Sequence, residues 1–357
     1  MQPQYTFQFS ARASIDALLI MIERATKSID IELFYILPDS IGRSVLDALL
    51  QKALAGVTVR ILVDSMGSLS LGQSMYVDTF RKAKVHMRFF NSLIPFTKYS
   101  KSIWYFRNHR RTIIVDREEL MVGSFCIGEP AIDWTEISII VKNSMAVTEA
   151  RKVFDTTWKK STHSTFRIGH TNKISTDCFT YISQSPLQRR RNMYKLLIEK
   201  IRQARTEITL IAPYIVPDRR FIRTLRAARK RKVHIKIITP KETDWTMADH
   251  ARGTYIEGLL KIGIEIYFTP TMLHAKTAIF DQEQAIVGTL NLDNVSLRYN
   301  YECGVHIDDV SCVTALRIGI QEHILPSAQK LHLSEWRKRG IWKKCIETLI
   351  WPLRKFL

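Results

Sequence analysis

Apolar positions along the chain recur in two rhythms. Runs such as DIELFYI, VRILVD, ITLIAPYIV and IKIIT are short and continuous, as in strands buried on both faces. The segments between them carry apolar residues three and four apart. SVLDALLQKALAG, with Gly56 as its C-cap, is an example. Strands alternating with amphipathic helices predict an α/β fold.

The order of these elements repeats. In the first half, IERATKSIDIELFYILPDS (Ile22 to Ser40) leads to VTVRILVDS; in the second, IEKIRQARTEITLIAPYIVPDRR (Ile198 to Arg220) leads to VHIKIITPK. Each reads as a helix, a strand ending in Tyr-Ile-x-Pro-Asp, a second helix and a second strand. The offset is 179 residues at Asp39/Asp218 and 176 at Val57/Val233, so the register holds across the unit. Two tandem α/β domains are expected, 1–165 and 166–333, followed by a tail, 334–357. The polar stretch from Ser161 to Asp177 is the expected linker, and QRRRN then opens the second copy with the start of a solvated helix.

Polar groups interrupt the apolar pattern in one place per half. In HAKTAIFDQEQAIVGTLN, His274 and Lys276 are two apart and project from one face of a strand, Thr277 to Phe280 enter the core, and Asp281 closes the strand at a turn. AIVGTLN returns as a hairpin partner with Thr289 and Asn291 on one face, and Gly288 permits close backbone approach. A His, a Lys, a hydroxyl and an amide can thus converge on one small anion. The first half repeats the layout: His109, Arg111 and Asp116 at identical spacing, then Gly123-Ser124, with Glu136 27 residues after His109 where Glu302 lies 28 after His274. Two half-sites from one repeat predict a single site on a pseudo-twofold axis. Asp116 and Asp281 stand where Asp commonly makes turns, so a structural role and a site role are both open for them.

Composition narrows the partner. The 357 residues are 46% apolar and 24% charged, as in a globular protein, and the net charge of +19 calls for an acidic partner: nucleic acid, an anionic membrane or a phosphate-bearing substrate. The five cysteines, Cys126, Cys178, Cys303, Cys312 and Cys345, are scattered and lack metal-ligand spacing, which predicts a reducing compartment and no structural zinc. No apolar run reaches the roughly 18 residues of a membrane span, and no signal-peptide pattern opens the chain, so any membrane contact is expected to be peripheral.

The paired motifs resemble the phospholipase D superfamily, whose signature H-x-K-x(4)-D-x(6)-G-S-x-N occurs twice in its single-chain members. The second copy matches with Thr289 for Ser; the first carries Arg111 for Lys and Cys126 for Asn. RNHRR, YIVPD and GTLNLDNVSLRYNYE are similar to the RNHRK, PYFVPD and GSTNLDxRSL strings of bacterial cardiolipin synthases, and the resemblance runs from about Ile15 to Leu353. It implies two phospholipase D-like α/β/α domains, each a mostly buried mixed sheet flanked by helices, related by a pseudo-twofold axis.

The resemblance also implies a chemistry that suits these residue types. Neutral imidazole escapes the charge repulsion that a phosphodiester imposes on anionic nucleophiles, and a covalent phosphohistidine splits one displacement into two. The other His serves as acid and then base, and both roles are open to both rings; family order makes His109 the nucleophile and His274 the acid/base. Lys276 and Arg111 would neutralise phosphoryl oxygens, Ser124, Thr289 and Asn291 would donate to them, and no metal or cofactor is called for. Glu302 would accept from His274, and Glu136 from His109.

The expected function is phosphatidyl transfer, making cardiolipin from an anionic phospholipid such as phosphatidylglycerol. A hydrolase or nuclease of the same superfamily and a phosphate- or nucleic-acid-binding pseudoenzyme are the alternatives. Two motifs in one chain place lipid ahead of nucleic acid. The tail SEWRKRGIWKKCIETLIWPLRKFL sets basic residues beside Trp342, Leu349 and Leu353, which suits either an interfacial helix on anionic lipid or a helix docked on the second domain. The aromatic stretch Phe89 to Phe106 could line a lipid entrance or pack beneath the sheet. The expected location is the cytoplasmic face of a membrane.

Overall fold

The computed structural model describes residues 4–91, 105–161, 178–186 and 191–352. The expected linker beyond Ser161, the centre of the Phe89 to Phe106 stretch, two residues of the triple-arginine run and the end of the tail lie outside these ranges.

The repeat folds into two mixed sheets of matching strand order. The first contains β1 (Gln4–Ser10), β2 (Ser28–Leu33), β3 (Thr58–Asp64), β4 (His86–Phe90), β5 (Thr112–Val115), β6 (Glu119–Gly123) and β7 (Thr135–Lys142), ordered β1-β7-β6-β5-β2-β3-β4. The second contains β8 (Phe179–Gln184), β9 (Glu207–Ile211), β11 (His234–Pro240), β12 (Glu265–Thr269), β13 (Thr277–Phe280), β14 (Gln284–Gly288), β16 (Glu302–Ile307) and β17 (Gln329–Lys330). Its order, β8-β16-β14-β13-β9-β11-β12-β17, is that of the first sheet with one added edge strand. Within the second half, β10 (Ile215–Val216) and β15 (Leu292–Asp293) form a short parallel ladder. In each sheet the strands of the helix-connected unit run parallel and the motif hairpin is antiparallel to them.

The sheets face each other through one core. Leu62, Ile114 and Ile139 of the first meet Ile279, Val287 and Val305 of the second, which is why the hairpin strands are apolar on both faces. Helices cover the outer faces: Ala11–Arg24 and Ser40–Leu54 on the first, Asn192–Gln203, Arg219–Lys230 and Thr246–Lys261 on the second. Two more helices tie the halves together. Met145–Ser161 packs on β8 of the other sheet, and Val310–His323 packs on β1.

The motif hairpins turn as their composition requires. Asp116 and Arg117, and likewise Asp281 and Gln282, adopt positive φ of 51° to 64°, the handedness of tight two-residue hairpin turns. At the other end, a Cβ on Gly288 would sit 2.3 Å from the Cys303 carbonyl oxygen, so the close approach expected there is a requirement of the fold.

Candidate functional site

Each motif histidine lies at the mouth of its hairpin, where the two halves touch. Just before β5, the backbone at Asn108 bridges Tyr301, with His109 N–H donating to the Tyr301 carbonyl at 2.9 Å. Just before β13, Leu273 bridges Thr135, with His274 N–H donating to the Thr135 carbonyl at 2.8 Å. The strand entered after Tyr301 begins with Glu302, and Glu136 follows Thr135. Each imidazole is thereby laid beside the carboxylate of the other half.

The hydrogen bonds follow this crossing. Nδ1 of His274 is 2.6 Å from Oε1 of Glu136, and Nδ1 of His109 is 3.0 Å from Oε2 of Glu302. The expected pairing of each His with the Glu of its own motif is corrected. The cross-half bridges set partners here, so spacing along one chain segment does not.

Other corrections concern the hydroxyls and the aspartates. Ser124 donates its hydroxyl to Glu136 and Thr289 donates to Glu302, so these groups orient the carboxylates and are not free to meet a phosphate. Ser296, which lies outside the motif, donates to the other oxygen of Glu302 at 2.8 Å; its only signal in the sequence is a hydroxyl six residues before that acid. Asp116 lies seven residues beyond His109, roughly 20 Å along an extended strand. There it accepts from the backbone N–H groups of Thr26, Lys27 and Ser28 at 2.7–2.8 Å. Asp281 does the same for Arg205, Thr206 and Glu207. Both hold their hairpin to the neighbouring helix–strand turn, and the catalytic role entertained for them is withdrawn.

The two basic positions differ. Lys276 donates to the His274 carbonyl at 2.5 Å, and Asn291 of the same motif is buried with its Oδ1 unpartnered. Arg111 is anchored at three points: Nε to the Phe125 carbonyl at 3.0 Å, Nη1 to the His109 carbonyl at 2.9 Å, and Nη2 to the Cys126 sulfur at 3.0 Å. Phe34 stands edge-on to His109 at 5.4 Å, and Trp134 lies 4.9 Å from the ring of His274. Of RNHRR, Arg107 and Asn108 are spent on Asp64 and Glu32, and Arg110 on Thr157 and Gln184. They fix the backbone on which His109 sits.

Burial and charge shift the titration of the site groups. Burial, then Arg111 and Lys276, push His109 well below its ordinary value, against Thr289 and Glu136. Burial and Lys276 lower His274 to about 4, against Glu136. Each imidazole thus feels the cations of both halves. Burial brings Lys276 down to about 7, and Arg111 adds to this. Burial raises Glu302 to about 8 despite its Thr289 and Ser296 donors. Glu136 is equally buried, but His274, Lys276 and Ser124 outweigh burial and hold it below the usual carboxylate range. An ionised Glu136 can only accept, so Nδ1 of His274 carries the proton and its Nε2 presents a lone pair. Among the described residues no group of three or more His, Cys, Asp or Glu side chains is arranged to hold a metal ion.

Comparisons with known proteins agree with this architecture. A family model described as "cardiolipin synthase, PLD-like domain" matches residues 18–158 and 197–323, one match in each half. The major cardiolipin synthase ClsA of Bacillus subtilis is 28% identical over 96% of this chain and 73% of its own length. Cardiolipin synthase A of Serratia proteamaculans is 26% identical over 95% of this chain and 72% of its own. Among solved structures, the phosphatidylserine synthase of Haemophilus influenzae superimposes with a TM-score of 0.75 at 13% identity, covering 99% of this chain and 95% of that one; the likeness is one of fold. A duplicated α/β unit with a paired-histidine motif is the architecture of a phosphoryl-transfer protein. The chain belongs to the phospholipase D superfamily, in its cardiolipin synthase-like family, and is a phosphatidyltransferase of that superfamily.

Proposed function

We propose that the protein makes cardiolipin from an anionic phospholipid, phosphatidylglycerol being the expected donor, through a phosphohistidine. The observation that supports this reading is the crossed pair of Nδ1–carboxylate bonds, which ties each imidazole to the other half, with the charges of Arg111 and Lys276 acting on both rings. In the first step, Nε2 of His109 attacks phosphorus, an N–P bond forms and the P–O bond to glycerol breaks. His274 protonates the departing alkoxide. In the second step, neutral His274 takes the proton of a second lipid's hydroxyl, whose oxygen forms the new P–O bond as the N–P bond breaks.

The division of roles follows the electrostatics. His109, pushed well below its ordinary value, stays neutral and keeps its lone pair. His274, 2.6 Å from an ionised carboxylate, has the partner that stabilises an imidazolium once an anionic phosphodiester enters. Arg111, Lys276 and Asn291 are the groups assigned to the phosphoryl oxygens, with Glu136 and Glu302 fixing ring orientation.

Each domain, 1–165 and 166–333, contributes one half-site. The protein would work on lipid at a membrane surface from the cytoplasmic side. Among the described residues no helix is long and apolar enough to cross a membrane.

The test is incubation of the purified protein with phosphatidylglycerol vesicles in EDTA, with products identified by mass. Cardiolipin is the expected product. Phosphatidic acid would replace transfer with hydrolysis, and folded protein without turnover would leave a binding role.

A further inference from the structure

The helix Arg219–Lys230 buries Phe221, Leu225 and Ala228 under the second sheet. At 100° per residue, Arg219, Arg223, Arg226 and Lys230 fall within about 60° of arc on the opposite face. All four are exposed, and among the described residues none of them pairs with an acidic side chain. Like charges at this spacing destabilise a helix, so the fold gains nothing from the stripe.

The repeat supplies an internal control. Helix Ser40–Leu54 has the same place in the first half and the same N-cap, Asp39 for Asp218. Its matching positions are Ser40, Ser44, Asp47 and Gln51. The architecture therefore does not require cations there.

A second helix shows inverted amphipathicity. Ile341–Ile350 docks on helix Thr246–Lys261 through its acid: Glu347 is 6% exposed, bonded to Arg339 at 3.0 Å, and seated over Gly253, where a Cβ would come within 2.4 Å of it. The apolar stripe points outward, with Trp342 79% and Leu349 76% exposed and Ile346 between them. Of the two placements expected for the tail, docking on the second domain is the one observed, and it leaves the apolar face to the outside. Ile350 packs against the Val216–Ala251 cluster, and Val216 is two residues from the cap of the basic helix, so the end of the tail helix lies near the start of the basic helix.

We propose that these two helices form one docking surface for an anionic phospholipid bilayer, the apolar stripe entering the interfacial region and the basic stripe lying on the headgroups. The proposal deepens the phosphatidyl-transfer reading, on which it rests for its lipid context. Nucleic acid would satisfy the cations but leave the outward Trp342, Ile346 and Leu349 stripe in water.

The experiment measures co-sedimentation of the full chain with phosphatidylglycerol/phosphatidylcholine vesicles and with phosphatidylcholine alone, at low and high salt, beside binding to duplex DNA. One variant carries Arg219→Gln, Arg223→Gln, Arg226→Gln and Lys230→Gln; a second carries Trp342→Ser and Leu349→Ser. Wild type is expected to bind anionic vesicles and to weaken as salt rises. Each variant should lose at least tenfold in partitioning, the first should lose most of the salt dependence, and both should turn over a soluble short-chain diester as wild type does. Unchanged partitioning in either variant would overturn the proposal, as would wild-type binding indifferent to salt or charge-dependent binding of DNA alone. A wild type inactive on the short-chain diester, with vesicle binding still sensitive to both variants, would keep the docking surface and defeat the transfer reading.

Discussion

The two half-sites share a backbone and differ in what they hold rigid. In the second, Lys276 makes one bond to a backbone carbonyl and Asn291 keeps an unpartnered buried oxygen, so both retain capacity for a ligand. In the first, Arg111 is fastened at three points, and the Asn291 counterpart is a cysteine that serves as one of them. The acids differ too, for burial leaves Glu302 near 8 while Glu136 stays ionised. A duplicated scaffold can therefore divide its labour without changing topology: one half supplies a fixed charge and a ring beside a neutral acid, the other a titratable charge and a ring hydrogen-bonded to an ionised carboxylate.

The largest effect should come from the crossing itself. Replacing His109 or His274 by Ala is expected to reduce turnover on a short-chain diester by roughly 10³-fold or more, since each removes a nucleophile or an acid/base group. A double-mutant cycle then discriminates the pairing. His274 with Glu136→Gln should show coupling of about 0.5–3 kcal/mol, whereas His274 with Glu302→Gln should be closer to additive. Coupling within motifs in place of coupling across them would break the comparison.

Arg111→Ala should lose at least tenfold in kcat/KM, about 1.4 kcal/mol of transition-state stabilisation. Arg111→Lys should also lose activity, because a single ammonium cannot keep the bonds to Phe125, His109 and Cys126. Combining it with Cys126→Asn rebuilds the second half's pair and should recover most of the loss. Without that recovery, Arg111 and Cys126 are independent substitutions.

A subtler difference lies in pH. Lys276 at about 7 loses its proton as pH rises through that value, and with it a charge that grips the diester, so kcat/KM should fall on the alkaline side. Lys276→Arg does not titrate there and should flatten that limb, even at lower absolute activity. An unchanged limb would assign it to another group.

The smallest effect on chemistry is expected at Asp116 and Asp281. Alanine at either should change turnover of folded protein by less than about twofold while lowering stability by about 1–3 kcal/mol, because several backbone N–H groups lose their acceptor. A turnover loss as large as that of the histidine variants, in folded protein, would restore them to the site.

Local pattern was enough for much of this molecule. Continuous apolar runs and three-to-four spacing reported the strands and helices, the recurrence of Tyr-Ile-x-Pro-Asp reported the duplication, and two His-x-cation pairs marked the candidate site, because each depends on residues close in sequence. Partner choice across the interface depends on contacts that no window contains. The bridges Asn108–Tyr301 and Thr135–Leu273 join segments far apart in the chain, and they alone decide that Glu302 serves His109 and Glu136 serves His274. Asp at the end of a motif strand suits a turn or a site equally well in sequence; the direction of the strand, away from the mouth, settled the matter. The tail's composition allowed two placements, and packing on a helix distant in sequence, with Glu347 buried over Gly253, decided which face of it is covered. Spacing along a chain specifies which side chains share a face, while packing specifies what that face meets.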